Sequence, residues 1–171
     1  LQTVILPGSD VSLETGAFMD CPSLKNITLP TDLDTISNHL FRGCSALQSI
    51  TLPDGISTIG EDAFYGCSNL SIVNFPQRLS SIGEEAFWGC SLAHISIPAS
   101  IKTISDYVFA GNDMTNVVIP SGITSIGMGA FNNCFYMASI TIPTSVTIIE
   151  DAFLNCQALD DVYYLGSREM W

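Results

Sequence analysis

Seven prolines set the ruler of this chain: Pro7, Pro30, Pro53, Pro76, Pro98, Pro120 and Pro143, spaced by 23, 23, 23, 22, 22 and 23 residues. A phenylalanine follows each one, at Phe18, Phe41, Phe64, Phe87, Phe109, Phe131 and Phe153; six lie 11 residues after their proline and Phe153 lies 10 after. Three residues later comes Cys21, Cys44, Cys67, Cys90, Asn112, Cys134 or Cys156. A fixed period over nearly the whole chain means stacked copies of one small unit.

The third copy, Pro53 to Phe75, shows the unit best. Its apolar residues recur at Ile56, Ile59, Ala63, Phe64, Cys67, Leu70, Val73 and Phe75. The last of these alternate with polar residues, as in a half-buried strand. Proline then ends the strand because it cannot donate to a ladder. Ile56-x-x-Ile59 predicts a second short extended segment. Gly60-Glu61-Asp62-Ala63-Phe64 predicts a short helical turn, with Ser or Gly at its start as a cap and acids favoured by the helix dipole. The residue before each Cys-column position is Asp20, Gly43, Gly66, Gly89, Gly111, Asn133 or Asn155. Gly, Asn and Asp tolerate the left-handed conformation best, so each turn is predicted to stop there.

A 22–23-residue unit cannot bury its own apolar face, and stacking supplies the missing partner. The L-x-x-I-x-L spacing at Leu70 to Phe75, repeated as Leu24-Ile27-Leu29 and Leu47-Ile50-Leu52, matches leucine-rich repeats. Units four and five lack one residue before their strand, and unit seven lacks one before its Phe. The first unit departs at Asp10, where others place Leu, Ile or Val.

The segments ITLPDGISTIGEDAFYGCSNL and ITLPTDLDTISNHLFRGCSAL resemble the BspA-type leucine-rich repeats found in surface and secreted proteins of anaerobic bacteria and some protozoa. The resemblance implies a non-enzymatic, extracellular interaction module of the adhesion type. The tail VYYLGSREMW is similar to the segment that follows the last repeat in such proteins; Ser167 would cap a helix there and Trp171 would be the lid on the last coil. The expected fold is a repeat solenoid: a right-handed leucine-rich-repeat superhelix with short parallel strands on one face and short helical turns on the other. It spans residues 1–164 in about seven repeats, and 165–171 begins a C-terminal capping segment.

Composition narrows the function classes. With 17 Asp+Glu against 5 Lys+Arg, the net charge is −12. Five scattered cations do not make the basic footprint that nucleic acid needs. At 47% hydrophobic the chain is not a disordered acidic tail. No run approaches 18 apolar residues, so no membrane span is expected. The chain starts at Leu1, and Leu1 to Leu6 is too short for a signal-peptide apolar region, so it reads as a mature or trimmed fragment.

Each candidate chemistry has a plainer reading. Six cysteines could pair or bind metal, but they fill one slot of different coils, without a C-x-x-C pair. Buried, reduced structural thiols are expected. The acids Glu61-Asp62, Glu84-Glu85, Asp106 and Glu150-Asp151 form one column; they could bind cations, but first-turn acids explain them without a ligand. His39 and His94 lie in different columns and support no catalytic arrangement. No metal or cofactor is expected.

The strand face offers the best binding candidates, because solenoids bind through extended surfaces. One outward column is Asn26, Ser49, Ile72, His94, Asn116, Ser139 and Asp161. The other is Thr28, Thr51, Asn74, Ser96, Val118, Thr141 and Tyr163. Tyr65 and Trp88 share one position on adjacent coils; they form either an exposed aromatic patch or a cover for neighbouring side chains. Phe135 and Tyr136 follow two coils on. The expected partner is an extracellular protein or glycan. The alternatives are a structural stalk and a carbohydrate-active solenoid enzyme. Uncapped coils at the two ends would also favour self-association.

Overall fold

The computed structural model describes residues 1–6, 8 and 11–166. The expectations for Asp10, Ser167 and Trp171 lie outside the described residues. The chain forms a parallel solenoid of about seven coils, numbered here as the units are. Its first sheet face carries β1 (Thr3–Ile5), β2 (Asn26–Thr28), β4 (Ser49–Thr51), β6 (Ile72–Asn74), β9 (Asn116–Val118), β11 (Ser139–Ile142) and β13 (Asp161–Tyr164). The second face carries β3 (Thr35–Ile36), β5 (Thr58–Ile59), β7 (Ser81–Ile82), β8 (Thr103–Ile104), β10 (Ser125–Ile126) and β12 (Ile148–Ile149). Every strand pair is parallel, and the repeat sets the register: Thr3 pairs with Asn26, Ser49 with Ile72, and Asn116 with Ser139 and then Asp161.

The core is a column of stacked rings. Phe18, Phe41, Phe64, Phe87, Phe109, Phe131 and Phe153 follow one another with centroids 5.0–5.9 Å apart and near-parallel planes. The five inner rings are fully buried. Such pairs are worth about 0.5–1.5 kcal/mol each beyond the area they bury.

The predicted helical turns are absent: the described residues contain no helix. Overlapping β-turns take their place. In coil 2, Leu40 N–H donates to Ser37 O at 3.3 Å, Arg42 N–H to His39 O at 3.1 Å and Cys44 N–H to Phe41 O at 3.0 Å. The intervening N–H groups of His39, Phe41 and Gly43 donate along the axis to Glu61 O, Ala63 O and Tyr65 O, each at 2.8 Å. A helix would use every one of these donors internally and leave the next coil's carbonyls unmatched. One turn of helix is also costly to nucleate. Stacking therefore wins over local helix.

This solution needs two left-handed residues per turn. The predicted column is confirmed in all seven coils, Asp20 to Asn155, with φ from 52° to 74°. A second column, two residues before each Phe, was not predicted: Gly16, His39, Asp62, Glu85, Tyr107, Gly129 and Asp151 also have positive φ. His39 and Gly43 each stand third in a four-residue turn, where a type II turn requires positive φ.

The two sheets are not continuous, and one sequence position tracks the breaks on the second. Gly60, Gly83 and Gly127, four residues before their Phe, donate N–H to Ile36 O, Ile59 O and Ile104 O, each at 2.8 Å. A Cβ on Gly83 would lie 2.4 Å from Glu61 N, so coil 4 needs glycine here, whereas in coil 7 Glu150 makes the equivalent bond to Ile126 O at 3.0 Å. Where the same position is serine, the hydroxyl substitutes: Ser37 Oγ donates to Leu13 O and Ser105 Oγ to Ile82 O, both at 2.5 Å. Among the described residues, no strand pair joins coil 1 to coil 2 or coil 4 to coil 5.

The first sheet also corrects the expectation of one strand per coil. His94–Ser96 of coil 4 forms no strand, and Ala93 to Ile97 make no backbone–backbone hydrogen bond among the described residues. Coil 5 lacks the same residue and still forms β9, so the missing residue alone does not break the strand.

Candidate functional site

The strand-face residues stand where the alternation puts them. Asn26, Thr28, Ser49, Thr51, Ile72, Asn74, His94, Ser96, Asn116, Val118, Asp161 and Tyr163 are exposed, while Ser139 and Thr141 are half-buried. Outward residues of paired strands lie about 4.8 Å apart from coil to coil. The face therefore presents two rows of short side chains with Ile72, Val118 and Tyr163 standing above them, 65%, 68% and 53% exposed.

The C-terminal third of this face is internally organised. Ser139 Oγ donates to Asn116 Oδ1 at 2.7 Å. Tyr163 Oη donates to Asp161 Oδ2 at 3.1 Å. That hydrogen bond to the carboxylate, together with its negative charge, raises the Tyr163 phenol above its ordinary pKa and keeps it a neutral donor. Coils 5 to 7 are also where the ladder is longest, joining β9, β11 and β13. This third of the face is the better ordered platform. His94 sits instead on the unladdered segment.

The aromatic pair extends further than its sequence position shows. Tyr65 and Trp88 have centroids 5.6 Å apart, and Trp88 stacks on Tyr107 at 5.4 Å. The Arg42 guanidinium covers the other side of Tyr65, 4.2 Å from its centroid. Tyr107 lies over Gly129, where an added Cβ would come within 2.2 Å of the ring. Trp88 is flanked on both sides, so the stack offers ring edges to solvent, and stacking on a sugar needs a free face.

Beside that stack lies a cluster that sequence reasoning missed. Asp62 is buried, and its Oδ2 pairs with the Arg42 guanidinium and stands 3.3 Å from His39 Nδ1. The column of acids therefore has mixed roles. Asp62 is an ion-pair partner, Asp106 Oδ1 accepts Met128 N–H at 2.8 Å, and Glu61, Glu84 and Glu150 are exposed. No helix dipole acts on them. The His39–Arg42–Asp62 contact links residues 20 to 23 apart, which became visible only once the stacking was known.

Four of the cysteines, Cys44, Cys67, Cys90 and Cys134, are buried as expected, while Cys21 and Cys156 in the terminal coils are half-buried. Cys44, Cys67, Cys90, Cys134 and Cys156 each donate Sγ–H to the carbonyl of the preceding coil's Phe, at 3.1–3.4 Å. All six are free of disulfides. Burial pushes Cys44 up from 9.0 to about 11 and Cys134 to about 12, and raises Cys67 and Cys90 as well. The reactive thiolate is thereby suppressed. Among the described residues, no group of three His, Cys, Asp or Glu side chains could hold a metal ion.

A family model for the BspA type leucine-rich repeat region matches residues 1–115 and 34–160 in 6 copies. The chain belongs to the BspA-type leucine-rich repeat family. No curated protein matches it. Among solved structures it is similar to a leucine-rich cell surface protein of Faecalibacterium prausnitzii A2-165, at 29% identity and a TM-score of 0.73, covering 100% of this chain and 62% of that one. It is also similar to the T. pallidum leucine-rich repeat protein, at 29% identity and a TM-score of 0.61, covering 94% and 68%. A leucine-rich repeat protein of Bacteroides ovatus, at 23% identity and a TM-score of 0.55, shares the fold and is covered over 55% of its length. The chain thus spans less than two thirds of the Faecalibacterium relative. Among the described residues no helix is long and apolar enough to cross a membrane.

Proposed function

We propose that this BspA-type solenoid is a non-enzymatic binding module of a cell-surface or secreted protein, engaging an extracellular protein or glycan through its first sheet face. The observation that carries this reading is the make-up of the face. Its two outward columns hold one carboxylate, Asp161, and one imidazole, His94, in a chain of net charge −12. Keeping charge off one broad surface lowers the desolvation cost of covering it. The cell-surface label of the Faecalibacterium relative supports the location.

The organised third, Asn116, Ser139, Asp161 and Tyr163, is the anchor of this surface, because its donors and acceptors are already oriented. Val118 and Tyr163 add apolar area beside them. The test is binding of the chain to a panel of extracellular-matrix proteins and glycans, repeated with Tyr163→Ala and His94→Ala. Loss with Tyr163→Ala and retention with His94→Ala is the expected pattern. Binding that survives both changes moves the site off this face. Turnover of a glycan, abolished by changing a single acid, would replace the binding reading with an enzymatic one.

A further inference from the structure

We infer that the solenoid carries a built-in joint between coils 4 and 5, with coils 2 to 4 and 5 to 7 as the blocks on either side. Three independent features meet at this level. The second sheet stops at β7 and restarts at β8. The first sheet lacks coil 4's strand, leaving Ala93 to Ile97 without backbone partners among the described residues. The position whose backbone N–H bonds the preceding coil in coils 3, 4, 6 and 7 is Ser105 in coil 5, and there the hydroxyl takes the Ile82 carbonyl instead.

The remaining backbone bonds across this level all lie on one corner. Glu85 N–H donates to Asp106 O at 3.0 Å, Phe87 N–H to Val108 O at 3.0 Å and Gly89 N–H to Ala110 O at 2.8 Å. Phe87 stacks on Phe109, and Trp88 on Tyr107, at the same corner. Elsewhere the level is crossed by side chains alone: Ser100 Oγ donates to Leu79 O, Ser105 Oγ to Ile82 O, and Asn112 joins Leu92 to Phe87. A body held by backbone bonds along one edge and by single side chains elsewhere bends about that edge. The turn corner is the hinge line, and the two sheets are the sides that open. The coil 1–2 level repeats the pattern: Ser37 replaces the glycine, no strand pair crosses, and Gly16, Phe18 and Asp20 hold the corner.

Such a joint lets the sheet face change its curvature without breaking either block's ladder. This property does not depend on the proposed ligand. Hinges of this kind are a few positions that absorb the motion between rigid bodies.

Residual dipolar couplings of the backbone amides, measured on the whole chain by NMR, test the joint. Residues 30–92 and 98–165 should require separate alignment tensors of different magnitude. A single tensor fitting both blocks within error overturns the joint. Ser105→Gly should restore an N–H donor to Ile82 and bring the two tensors together. Tensors that stay apart in a folded Ser105→Gly protein overturn the role given to Ser105. The converse change, Gly127→Ser, should split residues 98–119 from 120–165; if it folds and leaves one tensor there, the serine rule fails.

Discussion

Asn112 accepts the Leu92 N–H through Oδ1 at 2.9 Å and donates Nδ2–H to Phe87 O at 2.8 Å. The second bond is the one a cysteine makes in the other coils. The first has no counterpart there. In full-length coils the Leu N–H closes on its own Cys carbonyl, as Leu70 does on Cys67 at 2.8 Å. Coil 4 is one residue short, so Leu92 cannot reach Cys90 that way, and the amide of the next coil takes its place. The exception in the cysteine column thus serves the deletion in coil 4, whereas coil 5, with the same deletion, is followed by Cys134.

Restoring the column residue should therefore hurt. Asn112→Cys keeps a donor to Phe87 O but leaves the Leu92 N–H buried without an acceptor, at a cost of about 1–3 kcal/mol. Urea unfolding of both proteins checks it. Equal midpoints would show that water or a shifted backbone satisfies Leu92.

The ring column predicts a gradient along the chain. Phe87→Ala removes a fully buried ring with neighbours on both sides and should cost about 3–5 kcal/mol. Phe153→Ala, with Phe131 as its one ring neighbour among the described residues, should cost less. Denaturant midpoints of the two variants give the order directly, and a reversed order would disprove the stacking argument.

Asp62 combines a buried ion pair with φ of 55°. Asp62→Ala loses the Arg42 partner and keeps a strained left-handed alanine, whereas Asp62→Gly loses the partner alone. The alanine variant should be the less stable of the two by about 1 kcal/mol. Thermal melts of the pair decide it.

Alkali should unfold the protein through its thiols. Cys44 and Cys134 rise from 9.0 to about 11 and about 12 in the folded state, first of all because burial disfavours the thiolate. Between the unfolded and folded values the unfolded chain has released protons that the folded chain still holds, so stability falls as pH rises. It should be flat from pH 7 to about 8 and decline above about 9. Urea midpoints across that range test it, and a midpoint unchanged at pH 10 refutes it.

The expected self-association takes a narrower form in three dimensions. β1 precedes the first Phe turn and β13 follows the last, so pairing β13 of one copy with β1 of another leaves Phe153 and Phe18 two levels apart. Strand edges can meet, but the ring columns cannot. Light scattering should show weak, concentration-dependent association that Val162→Lys abolishes, since Val162 is 41% exposed at that edge. A monomer at every concentration would rule out the edge.

The period, the parallel stacking, the ring column, the buried thiols and the left-handed column at Asp20 to Asn155 were all legible in the sequence. Each follows from residues that recur at one spacing and so meet their own copies in the next coil. The helical turns were misread. Gly60-Glu61-Asp62 has the local signature of a helix start, and a local signature carries no information about donors that a neighbouring coil requires. The contacts that differ between coils depended on geometry as well. Arg42 reaching Asp62, Tyr107 completing the Tyr65–Trp88 stack and Asn112 serving Leu92 each join non-equivalent positions of adjacent coils, and the repeat frame aligns only equivalent ones. The sequence alone determined that the coils stack and in what register, because periodic burial admits one solution. Only the tertiary structure decided where the stack is sealed and where it is open, because that depends on whether a backbone N–H or a serine hydroxyl reaches the preceding coil's carbonyl.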